Sequence, residues 1–225
     1  YKRQFYLLFE PTGDTMNSKT LSGWMLTIAP ILFVLILFIA WPAVIGEADT
    51  AAENVVLMLA KPMFTSIFTL LGIIIFGSMS MGFTLLAWSR ADGATTEGTL
   101  ASIASVIFVG VTSIIFIGLG LTYPILGEGA DNLPEAAMLM AVSDSMFAAV
   151  MIAWTLGNII LGAALIIENK INRIASGLLL LSGILLFIMH ILVGSDISLE
   201  VIWIIPFLSA PVSALVLGIF SLRSE

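Results

Sequence analysis

The chain contains no cysteine, one histidine and few charges of either sign: 8 Lys and Arg with 15 Asp and Glu make up 10% of 225 residues. Without thiols there is no disulfide, no iron–sulfur cluster and no thiolate nucleophile, and a single histidine excludes a multi-histidine metal site within the chain. A soluble domain carries about a quarter of its residues as charged groups. A chain that is 60% hydrophobic, with a mean hydropathy of +1.13, is therefore not a soluble domain. Also missing are the P-loop, dinucleotide, HExxH and GxSxG signatures, any Lys or Arg inside an apolar run and any paired carboxylates embedded in one span. Catalysis needs an activated nucleophile, a metal or an acid/base pair. None is visible, so the expectation is a protein that is not an enzyme and has no cofactor or metal. No basic surface exists for nucleic acid, and the net charge of −7 reflects acids that keep short loops in water.

What the chain does have is apolar runs of membrane length. About 20 apolar residues cross a ~30 Å hydrocarbon core, and six runs qualify, at 23–45, 64–88, 99–126, 134–167, 174–193 and 200–222. The expected fold is all-α: a polytopic membrane protein whose single six-transmembrane-helix bundle occupies 23–222, after an N-terminal arm, 1–22, that is interfacial or disordered, and before a tail, 223–225. The first run follows a polar arm and is long enough to span, which is the pattern of a spanning helix and not of a cleaved signal. Met16-Asn17-Ser18-Lys19 reads as an alternative start. Thr50-Ala51-Ala52-Glu53 is a capping box that opens a short surface helix near 50–60. Asn132, Pro134 and Glu135 open the fourth span. That span is about 50 Å long and must tilt or protrude. Lys2, Arg3, Lys19, Arg90, Lys170, Arg173 and Arg223 fall on one side of a six-span layout and Lys61 alone on the other. Basic loops stay in the cytoplasm, so both termini are expected inside.

Five residues are candidates for a ligand or proton path. Asp144 is the only carboxylate embedded in a long apolar run, and with Thr155, Asn158 and Gly162 it forms a small and polar stripe at helical spacing. Such a stripe turns toward neighbouring helices in lipid. His190 on the fifth span could share a proton with Asp144 if the two met. Depth argues against it: about 35 Å above the inner turn for Asp144 and about 24 Å for His190 on straight helices. Asn158 lies near mid-bilayer with Ser182 at similar depth, where interhelical hydrogen bonding is the default role for both. Trp154, one turn outward of Asn158, either lines a shared cavity or faces lipid.

The acidic, Ala-rich loop 47–54, the fourth span ending in Gly162-Ala163-Ala164-Leu165-Ile166-Ile167, the turn 168–174 followed by Ala175-Ser176-Gly177, and the proline-bearing sixth span resemble an uncharacterised family of small six-helix bacterial membrane proteins, a domain of unknown function. The resemblance spans 21–223. It implies the same bundle in a prokaryotic plasma membrane and assigns no catalytic residue. The leading expectation for function is a non-catalytic accessory or scaffold subunit, with the lipid bilayer and other membrane protein chains as partners. The alternatives are a small-molecule or proton-linked transporter with an outward-opening cavity near Asp144, Asn158 and His190, and a lipid or apolar-ligand binding protein.

Overall fold

The computed structural model describes residues 17–193 and 200–223. The expected arm thus lies outside the described residues up to position 16, as do the turn 194–199 and the tail beyond Arg223. Every regular element among the described residues is helical. The first span begins at Ser18, five residues before the expected boundary, because Asn17 caps it by accepting the Thr20 amide at 2.9 Å. Helix α1 (Ser18–Leu35) runs through Pro30 into a π-helical turn (Ile36–Ala40), in which the Trp41 amide reaches back to the Ile36 carbonyl, and then into α2 (Trp41–Val44). Gly46, at φ 113°, takes a left-handed turn open to glycine and strained for other residues.

Thr50 caps α3 (Ala51–Ala60) through the Glu53 amide, and the Glu53 carboxylate accepts in turn from the Asp49 amide. Then come α4 (Pro62–Trp88), α5 (Thr96–Gly120), α6 (Thr122–Glu128), α7 (Leu133–Glu168), α8 (Arg173–Val193) and α9 (Glu200–Arg223). The third span therefore breaks at Leu121, within the Gly118–Pro124 stretch that mixes glycine with proline. Asn132 caps α7 and Asn169, at φ 56°, ends it.

Six apolar spans of membrane length make this a six-span integral membrane protein. They form a ring in chain order: α1 packs on α4, α4 on α5, α5 on α7, α7 on α8 and α8 on α9, and α9 closes onto α1. Large apolar residues such as Val106, Ile174 and Ile205 cover the outside, while Leu26, Phe83, Leu86, Phe108, Leu161 and Leu217 fill the centre. Glycines set the seams. A Cβ on Gly162 would lie 2.7 Å from the Leu180 amide nitrogen, and one on Gly218 would lie 2.8 Å from the Leu26 backbone, so α7–α8 and α9–α1 meet backbone to backbone.

The two ends differ. At one, Arg90 pairs with Glu168 and ties the α4–α5 turn to the end of α7, and Lys170 lies 3.2 Å from the same carboxylate. At the other, α7, 36 residues and about 54 Å long, outruns the hydrocarbon core. Its excess turns join a second apolar core with Ile45, Val55, Met58, Ile125 and Ala136. Helix α3 connects the first two spans yet packs chiefly on α7, the fourth span. It thus crosses that end of the ring as a roof.

Candidate functional site

Beneath the α3 roof the ring is not filled. A cavity of about 280 Å³ is bounded by α1, the π-helical turn, Trp41, α3, α4, α5, Thr122 of α6, and α7. Local structure explains the space. The π-helical turn shifts the register of the first span there and contributes Ile36 and Leu37 to the wall; such turns recur at functional sites. Gly72 of α4 presents no side chain where Leu119 stands opposite, and the third span is interrupted at Leu121, between the wall residues Leu119 and Thr122. Asn54 and Met58 of α3 close the top.

The wall is mostly apolar. Phe33 meets Phe76 edge to face at 4.5 Å, Phe76 meets Phe147 at 6.0 Å, and Trp41 lies 6.1 Å from Phe68. Its polar members include Asn54, Thr69, Thr122, Ser143 and Asp144. The Ser143 hydroxyl donates to the Gly118 carbonyl at 2.9 Å. Asp144 is exposed on this wall, and no hydrogen bond or ion pair engages it among the described residues.

Deeper in the ring the packing is close. Phe83 and Phe108 stack at 4.9 Å, and the Trp154 indole stands edge-on to both at 5.6 and 5.9 Å. The Ser80 hydroxyl donates to the Phe108 carbonyl and accepts from Thr112, which joins α4 to α5 inside the bundle. Nothing in the sequence flagged this pair, because hydroxyls in membrane helices ordinarily bond their own backbone four residues back.

The five candidates separate. Asp144 lines the cavity, but Asn158, Trp154, Ser182 and His190 do not. Trp154 takes neither expected place: at 3% exposure it is packed among the aromatic rings. Asn158 is fully buried and so faces the bundle as its stripe requires, but neither its Nδ2 nor its Oδ1 has a protein partner, and the Thr155 hydroxyl and the Trp154 Nε1 are likewise unpaired. Ser182 bonds Ser213 at 3.1 Å across α8–α9 and the Leu179 carbonyl at 2.9 Å, which is an interhelical link. His190 places Nδ1 2.8 Å from the Leu186 carbonyl of its own helix and forms no ion pair with Asp144. Among the described residues, Asp144 and His190 are thus not joined directly.

The site is thus a carboxylate-bearing aromatic cavity in a six-span integral membrane protein. Comparison with family models, with curated proteins and with solved structures returns no match.

Proposed function

We propose that this six-span protein binds a small, largely apolar molecule in the cavity beneath α3, and that the mouth of this cavity faces the non-cytoplasmic side. The orientation rests on basic residues: Lys19, Arg90, Lys170, Arg173 and Arg223 cluster at the end opposite α3, and Lys61 stands alone at the α3 end. One observation carries the reading of binding, namely a roofed space of about 280 Å³ lined by five aromatic rings around one unpaired carboxylate. That volume is near the lower limit of small-molecule pockets, which begin at roughly 300 Å³. A subunit that served only to pack against other chains has no use for such a space. A transporter would need a path past Phe83, Phe108 and Trp154, so the reading stops at binding.

The absence of native cysteine makes the test direct. Ser143→Cys, reconstituted in vesicles, should react with methyl methanethiosulfonate, and benzyl alcohol should slow that reaction in a saturable way. Adding Gly72→Phe, which fills the cavity, should slow it at least about tenfold. An unreactive thiol, or one indifferent to both benzyl alcohol and Gly72→Phe, refutes the reading.

A further inference from the structure

We infer that the cavity selects an organic cation, a protonated or quaternary amine bearing one apolar group, over anions of the same size; the inference rests on the reading that the cavity holds a ligand. Three independent features point to this chemistry.

The first is charge without compensation. Asp144 is the sole ionisable side chain on the described wall, and neither a hydrogen bond nor an ion pair engages it. The carboxylate is exposed on the wall and no protein group among the described residues neutralises it, so a cation entering the space meets an unshared negative charge, and carboxylates within membrane spans serve as counter-ions. The second is the wall itself. Phe33, Trp41, Phe68, Phe76 and Phe147 surround the space, and ring faces attract ammonium groups through their quadrupole while their edges accept apolar substituents. The third is the rim. Glu47, Asp49, Glu53, Glu128, Asp131 and Glu135 stand at the α3 end, and the Lys61 ammonium there donates to the Val44 carbonyl. An acidic rim with low-dielectric walls raises the local concentration of cations and repels anions. No Lys or Arg lines the described wall, so an anion would find no partner.

The test uses the full chain carrying Ser143→Cys in phosphatidylcholine vesicles, with the neutral methyl methanethiosulfonate as reagent and two probes of like size, benzyltrimethylammonium and phenylmethanesulfonate. The readout is the probe concentration that halves the labelling rate. The cation should protect at a concentration at least about tenfold below that of the sulfonate. Asp144→Asn should abolish this preference, Asp144→Glu should keep it, and Phe68→Leu should weaken cation protection several-fold. Benzyl alcohol serves as the control: protection by it in the Asp144→Asn chain certifies an intact cavity. The comparison of the two ions in the chain that retains Asp144 decides the matter even if that variant does not fold. Equal protection by the two ions while benzyl alcohol still protects overturns the cation assignment and leaves ligand binding standing. A thiol that nothing protects overturns both.

Discussion

Replacing Gly162 with alanine adds one methyl group at a seam of the ring where two backbones meet. Its Cβ would sit 2.7 Å from the Leu180 nitrogen, 2.8 Å from Leu180 Cα and 2.9 Å from Leu180 Cβ, where ordinary contact begins at 3.4 Å. The first two are backbone atoms and the third is fixed by the backbone, so none can rotate away and α7 and α8 must part by about 0.7 Å. A radial gap of that size forfeits roughly a quarter to a half of each neighbouring pair's attraction of about 0.1–0.2 kcal/mol. Over the tens of atom pairs at a helix crossing, the loss is about 1–3 kcal/mol, the usual range for overpacking. In water, alanine would recover up to about 1 kcal/mol through helix propensity. Inserted helices are already formed before they associate, so little of that offset applies here. Gly177→Ala in α8 is the matched control, because its Cβ meets nothing within 4 Å. Unfolding both variants in mixed micelles with increasing dodecyl sulfate should show Gly162→Ala destabilised by about 1–3 kcal/mol and Gly177→Ala within about 0.5 kcal/mol of the parent. Indistinguishable curves would refute the backbone-to-backbone seam.

Three further outcomes are expected. Asn158→Leu should raise stability by about 1–2 kcal/mol in the same assay, since it removes a fully buried amide with no protein partner; a loss of that size would mean that water or another group satisfies the amide. Arg90→Ala should lower stability by about 1–3 kcal/mol, between the worth of an exposed and a buried pair, because Arg90 and Glu168 are 14% and 11% exposed; unfolding that does not respond to the substitution would remove the tie between the α4–α5 turn and α7. Single cysteines at the exposed positions Ala94 and Ala130 should label from opposite faces of sealed vesicles, Ala130→Cys with the α3 end and Ala94→Cys with the basic end; labelling of both from one face would contradict the ring topology.

The spans were legible because the bilayer imposes a length on any run that crosses it, and composition alone reveals that length. Their ends were less so. Asn17 was counted with the polar arm, although the Asn17-Ser18-Lys19-Thr20 sequence carries a capping signal that moves the start of α1 back to Ser18. The Thr50 box announced α3, but its place over the ring depends on contacts with α7 some 80 residues away, which no local pattern encodes. Helical spacing put Asn158 inside, where it is fully buried, and depth arithmetic argued against a direct Asp144–His190 contact; none joins them among the described residues. Trp154 was ambiguous, because an indole at that spacing suits lipid, cavity or core equally, and only the distant Phe83 and Phe108 decide. A cavity near Asp144 was expected only together with Asn158 and His190, which do not line it; its actual walls, where a π-helical turn, Gly72 and the interruption at Leu121 meet on three different spans, were not legible.

That coincidence bears on why the space is there. A ring of six helices in chain order encloses a central volume that side chains must fill to interior density. Near the Arg90 end the chain fills it with Leu, Phe and Trp and draws the helices together on glycine. The same residue types were open to it near α3, where Gly72 and Ser143 line the void instead. A larger apolar residue at either position would occupy that volume and gain the burial now forgone, at about 25 cal/mol per Å². The one carboxylate embedded in a long apolar run stands unpaired on the same wall among the described residues. The void and the unpaired carboxylate stand together beneath α3, and they are the local departures from best packing that the proposed binding would account for.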